Sequence, residues 1–141
     1  MAERVVFDTN IWISGLLWRG KPYQCLLLAR SGLVEPMYCL PMLSELTQKL
    51  RDPFGFDENH IQAVAYDYRR ISHRVEVAGD LCVVADDPDD DKFVECAVVS
   101  GADAIVSGDR HLLNLQEYQG IRVFSAAAYL ARFEQTGEPT T

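Results

Sequence analysis

Short apolar runs alternate along the chain with longer stretches whose apolar residues recur at helical spacing. Arg4 to Phe7 is a β-branched and aromatic run suited to a buried strand. Asp8, Thr9 and Asn10 lead into an apolar helical stretch, Ile11 to Trp18, which breaks at Gly20, Lys21 and Pro22. Tyr23 to Arg30 reads as a second helix ending at Ser31 and Gly32. After Pro36 the pattern predicts a short strand, Met37 to Leu40, and then a helix opened by Pro41 and running to about Arg51. A turn at Asp52 to Gly55 precedes a long helix capped by Asp57, with Ile61, Val64, Ala65, Tyr68 and Ile71 near helical spacing, to about His73. Leu81 to Ala85 is the third predicted strand, and an Asp-rich turn leads into a helix from about Lys92 to Ser100, ended by Gly101. Ala104 to Val106 and Ile121 to Phe124 complete the strands, and Ser125 caps a last helix through Phe133.

Short, wholly apolar strands separated by helices predict a three-layer α/β/α fold with a mostly parallel, about five-stranded sheet flanked by helices. The length of 141 residues fits one domain, expected over residues 1–134, with a disordered tail over 135–141. No repeat or low-complexity linker divides the chain. Four widely spaced cysteines, Cys25, Cys39, Cys82 and Cys96, sit among apolar neighbours without a CxxC pair, so they are expected as buried thiols in a reducing compartment. The start carries no apolar stretch of signal-peptide length and no run reaches the ~20 apolar residues of a membrane span, so the expected location is the cytoplasm, with no membrane partner.

Net charge is −8, unlike proteins that hold nucleic acid by ion pairing alone. Much of the excess is local, because five of the six residues from 86 to 91 are Asp. Such a cluster repels phosphate unless cations sit in it, and with cations it becomes a phosphate site. The positions of the acids then carry the functional reading. Asp8 immediately follows the first strand, Glu45 lies one turn into the helix after the second, Asp91 ends the turn after the third, and Asp109 comes three residues after the fourth. In an open parallel sheet the carboxyl ends of strands share one rim, where ligands bind. Four regions thus deliver a carboxylate to one place, and a hard divalent cation with oxygen ligands offsets their repulsion. Each acid also has an ordinary alternative. Asp8 and the run from Asp87 can cap helices, Glu45 can be a solvated helix residue, and Asp109 can be a turn acid. An EF-hand calcium loop is excluded, since Lys92 stands where it needs Gly and Val98 where it needs Glu.

Val5-Val6-Phe7-Asp8-Thr9-Asn10, Ser44-Glu45-Leu46, Asp87-Pro88-Asp89-Asp90-Asp91-Lys92-Phe93, Gly101 to Leu113 with its Ser107-Gly108-Asp109-Arg110-His111, and Gly120 to Leu130 together resemble PIN-domain nucleases. The likeness is to the bacterial and archaeal PIN toxins of toxin–antitoxin pairs, of the VapC type, and covers Val5 to about Leu130. It implies a parallel sheet flanked by helices and cleavage of single-stranded RNA by water activated at one or two Mg²⁺ or Mn²⁺ ions. It also implies a small antitoxin partner and a homodimer. Residue by residue, the family's acids fall on Asp8, Glu45, Asp91 and Asp109, as catalytic and metal-holding groups. Its supporting polar residues fall on Asn10 and on Ser107, where Thr is commoner. Asp91 is chosen from the Asp run by its distance to Asp109, with Asp87 and Asp90 as competitors in supporting places. Many relatives carry a further acid where this chain has His111. Arg19, Lys21 and Arg110 are candidates to hold the RNA backbone.

Two other readings compete. One is a degenerate PIN domain used for binding only. The other is phosphoryl transfer through an aspartyl intermediate at Asp8, which Asn10 disfavours because such enzymes resemble Asp-x-Asp there.

Overall fold

The computed structural model describes residues 2–135. Six strands form one sheet: β1 (Glu3–Phe7), β2 (Val34–Tyr38), β3 (His73–Arg74), β4 (Ala104–Val106), β5 (Glu117–Tyr118) and β6 (Ile121–Phe124). Seven α-helices accompany them: α1 (Thr9–Leu17), α2 (Lys21–Arg30), α3 (Leu40–Arg51), α4 (Glu58–Ile71), α5 (Asp91–Ser100), α6 (Arg110–Leu115) and α7 (Ala126–Gln135). A single 3₁₀ turn, Pro88–Asp90, precedes α5. The expected tail lies outside the described residues except for Gln135, which ends α7.

The strand order is β3-β2-β1-β4-β6-β5, with every pairing parallel except β5 with β6. From β1 the chain builds outward through β2 to β3, then crosses to β4 on the other side. The sheet therefore reverses direction between β1 and β4, the place where an open parallel sheet leaves a crevice at its carboxyl edge. Val5, Val6 and Phe7 of β1 and all of β4 are buried, as strands covered on both faces must be. Helix α5 packs on β1, β2 and β4 and against α3, while α2 packs on β2 and against α1 and α7. An aromatic chain ties the core near the crevice. Phe7 and Trp12 lie 6.0 Å apart edge to face, Trp12 and Tyr68 4.5 Å apart, and Tyr68 and Tyr38 4.9 Å apart.

Four sequence expectations need correction. The run Leu81 to Ala85 is not a strand: the amides of Val83 and Val84 are taken by the Asp91 carboxylate instead of by a neighbouring strand. Cys82 in that segment is consequently exposed, whereas Cys25, Cys39 and Cys96 are buried. The second strand is Val34–Tyr38, and it includes Pro36, which β3 does not reach because β3 pairs only with Met37 and Tyr38. The sheet has six strands, since His73–Arg74 and the β5–β6 hairpin add two-residue edges. That hairpin turns at Gln119 and Gly120, whose φ values of 50° and 84° suit a two-residue turn matched to strand twist. Among the described residues no helix is long and apolar enough to cross a membrane.

Helices α1 and α2 approach closely at Gly15. A Cβ there would stand 2.5 Å from Leu26 Cδ1 and 3.2 Å from the Pro22 carbonyl oxygen, and Leu26 is itself buried. Gly15→Ala gains about 1 kcal/mol of helix propensity but meets an overpacking cost of about 1–3 kcal/mol. The expected outcome is a net loss of stability in urea unfolding; a more stable variant would show that the two helices separate freely.

Candidate metal centre

Asp8 leaves β1 where the β1–β4 ladder ends, and its amide continues that ladder by donating to the Val106 carbonyl at 3.1 Å. Its side chain serves two purposes. One oxygen accepts the Ile11 amide at 2.9 Å and so caps α1, while the other accepts the hydroxyl of Ser107. The same Ser107 oxygen accepts the Asp109 amide at 2.8 Å, and the Asp109 carboxylate caps α6 by accepting the His111 amide at 2.7 Å. The capping roles and the shared rim therefore coexist. Burial pushes the Asp8 carboxyl up to about 6, against the hydrogen bonds from Ser107 and Ile11 and with help from the charges of Asp109 and Glu45.

The Asp-rich turn divides its acids between two jobs. Asp87 caps the 3₁₀ turn through the Asp89 amide at 3.2 Å, and Asp90 turns inward, 8% exposed, its Oδ2 without a hydrogen-bond partner among the described residues. Burial, then the charges of Asp109, Asp87 and Asp8, push the Asp90 carboxyl up to about 7. Asp91 points elsewhere: its Oδ1 accepts the amides of Val83 and Val84 at 2.9 and 2.7 Å. Glu95, one turn further on, accepts those of Ala78 and Gly79 at 3.1 and 2.9 Å. Successive helical residues lie about 100° apart, so Asp90 and Asp91 cannot share a face. Of the two it is Asp90 that faces the crevice, while one oxygen of Asp91 is taken up by the Val83 and Val84 amides.

Asp8, Glu45, Asp87, Asp90 and Asp109 line one cavity of about 150 Å³, together with Asn10 and Lys49. Glu45 comes from α3 and arrives already engaged, its Oε2 paired with Lys92 Nζ at 2.7 Å and its Oε1 accepting the Thr9 hydroxyl. Asp87, Asp90, Asp109 and His111 each offer a ligand atom within 4.8 Å of the others. An orphaned buried carboxylate oxygen beside further acids fits a hard divalent cation, which supplies the missing partner and the missing positive charge. The remaining candidates lie off this cavity. Arg19 is exposed and sits 5.5 Å over the Tyr23 ring, Lys21 opens α2 on the surface, and Arg110 opens α6 beside Asp109. Sequence reasoning did not single out Thr9, Lys49 or Lys92. Adjacency to Asp8 could have signalled Thr9, and a one-turn offset from Glu45 could have signalled Lys49, whereas nothing local points to Lys92 on α5.

The unpartnered Asp90 carboxyl has a measurable consequence without metal. Unfolded, it titrates near the ordinary 3.8; folded, near 7, so the native state binds the proton more tightly. Wild-type stability from this group is therefore lost as pH rises from about 4 to about 7. In EDTA, the melting temperature of Asp90→Asn relative to wild type is expected to climb across that range. A pH-independent difference would show that Asp90 is not held buried and unpaired.

The PIN domain family matches residues 4–111. No curated protein matches the chain in sequence. Among solved structures, VapBC2 from Rickettsia felis, bound to a DNA fragment from their promoter, is similar with a TM-score of 0.59 at 13% identity, over 85% of this chain and 96% of that one. PAE2754 from Pyrobaculum aerophilum is similar with a TM-score of 0.59 at 12% identity, over 95% and 90%. The T. brucei RRP44 PIN domain gives 0.52 at 13%, over 97% and 84%. At these identities the likeness is one of fold. On the match over residues 4–111, the chain belongs to the PIN domain family.

Proposed function

We propose that this chain is an endoribonuclease that cleaves single-stranded RNA with one or two Mg²⁺ or Mn²⁺ ions, and that it is the toxin of a toxin–antitoxin pair. PIN domains are generally nucleases, and the observation that carries the reading here is the buried, unpartnered Asp90 oxygen in a cavity of carboxylates. Asp8, Asp90 and Asp109 would hold the cations, with Asp87 beside them; Glu45, whose oxygens are engaged by Lys92 and Thr9, would contribute through a shared water or after releasing Lys92. Bound divalent cations lower the pKa of water and offset charge on the leaving oxygen of a phosphodiester. The protein's own part is orientation. Ser107 holds Asp8 and the Asp109 backbone in one arrangement, and Asn10 offers an amide to the same cavity. No nucleophilic side chain is required.

Lys49 lines the cavity and is suited to a phosphate oxygen; Arg110, Arg19 and Lys21 would hold RNA further out. The toxin assignment rests on the resemblance of the acid motifs to VapC-type proteins, and the likeness to VapBC2 is in keeping with it. A small antitoxin protein as partner, a homodimer and a cytoplasmic location belong to the same proposal.

Purified protein incubated with single-stranded RNA is expected to cut it with Mg²⁺ or Mn²⁺ and not in EDTA. Asp8→Asn, Asp90→Asn and Asp109→Asn should each slow cleavage by about 100-fold or more, a loss of about 2.7 kcal/mol in transition-state stabilisation. Asp91→Asn, which keeps an acceptor oxygen for the Val83 and Val84 amides, should stay within several-fold of wild type. Metal binding without cleavage of any RNA would favour the binding-module reading instead.

A further inference from the structure

His111 opens towards the acid cluster, and its ring offers a ligand atom within 4.8 Å of those of Asp87, Asp90 and Asp109. Its Nδ1 lies 3.7 Å from Asp87 Oδ2 and 3.6 Å from Asp109 Oδ1. Both separations exceed a hydrogen bond. Ligand atoms of one cation with bonds of about 2.1 Å stand roughly 3–4.2 Å apart, so the spacing suits donors that share an ion. The ring is half-buried and reachable from solvent, and its backbone is held at the start of α6 by the hydrogen bond that the His111 amide donates to Asp109. Each neighbour keeps lone pairs free for a cation. Asp87 uses Oδ1 on the Asp89 amide, which leaves Oδ2 on the His111 side, and Asp90 Oδ2 is buried with no partner among the described residues. The other two histidines are committed elsewhere, His60 stacked on Phe56 and His73 beside Glu35.

We propose that His111 supplies a nitrogen ligand to a cation held with Asp87, Asp90 and Asp109, and that this imidazole makes the centre selective for Mn²⁺ over Mg²⁺. Imidazole bonds to first-row transition ions, Mn²⁺ the most weakly of the series, whereas Mg²⁺ takes oxygen ligands and keeps its waters. A neutral nitrogen donor at this corner adds a ligand without adding negative charge. It adds little to the hold on a purely electrostatic ion and strengthens the hold on one that bonds to nitrogen. This inference rests on the metal-dependent reading above but concerns only which ion binds and through which atom.

The test reads binding directly. Wild-type protein loaded with one equivalent of Mn²⁺ is expected to show nitrogen coupling in pulsed electron spin resonance, and calorimetric titrations should give a Mn²⁺ affinity well above that for Mg²⁺. His111→Asp, checked for folding by circular dichroism, should lose the nitrogen coupling and lower the Mn²⁺-to-Mg²⁺ affinity ratio at least tenfold by strengthening Mg²⁺. His111→Ala should lose the coupling and weaken Mn²⁺ alone, which guards against a misfolded Asp variant. Stoichiometric Mn²⁺ binding that Asp90→Asn abolishes, but without nitrogen coupling, overturns the ligand role of His111 and leaves the nuclease reading standing. Failure of wild type to bind Mn²⁺ while it binds Mg²⁺ overturns the His111 inference alone, and failure to bind either ion overturns both.

Discussion

The parallel pairing of β1 with β4 sets the geometry on which the rest of the site depends. The ladder runs in register from Val5 and Ala104 to Phe7 and Val106, and the Asp8 amide extends it by one bond. Just beyond, a single hydroxyl, that of Ser107, donates to the Asp8 carboxylate and accepts the Asp109 amide. Two acids that are 101 positions apart in sequence are thus locked together by backbone register and one side chain. The apolar strands beneath, buried on both faces, supply the stability that offsets crowding like charges at the rim.

That crowding is uneven. Glu45 has Lys92 and Thr9 as partners, and Asp8 accepts two hydrogen bonds. Among the described residues Asp90 has neither cation nor donor on its inner oxygen. A folded protein retains a buried unsatisfied carboxylate rarely, and its place beside Asp87, Asp109 and His111 is what the proposed cation would answer. The charge of −8, which argues against simple ion pairing with nucleic acid, is concentrated where a cation reverses its effect.

Much of this was legible in the sequence where local pattern and tertiary role coincide. The runs at Arg4 to Phe7, Ala104 to Val106 and Ile121 to Phe124 became strands because they are apolar enough to be buried on both sides. Leu81 to Ala85 has the same look and stayed irregular, since the Asp91 carboxylate at the start of α5, eight and seven residues away, takes its Val83 and Val84 amides, and no local pattern reports it. Which of the Asp residues faces inward had a signal that was available. Asp90 stands three, four and seven positions before the buried Phe93, Val94 and Ala97, on the inward face of α5 extended back by one turn. Asp91 falls in line with Glu95, and both strap the preceding segment. Counting outward from Asp109 does not report this, because spacing across a strand and a loop carries no information about helical phase. The ion pair of Glu45 with Lys92, joining α3 to α5, is a tertiary fact with no trace in either local sequence.

The two edges of the sheet have a bearing on how this protein can assemble. Both β3 and β5 are two residues long, and β5 folds back antiparallel on β6. Strand addition from another chain needs an open row of backbone donors and acceptors, and here each side presents little more than a single rung. The sheet is in effect closed to extension. Lasting association, with a second copy or with a different protein, is then left to surfaces other than strand edges, and Trp18 at the end of α1 and Leu27 on α2 already stand exposed.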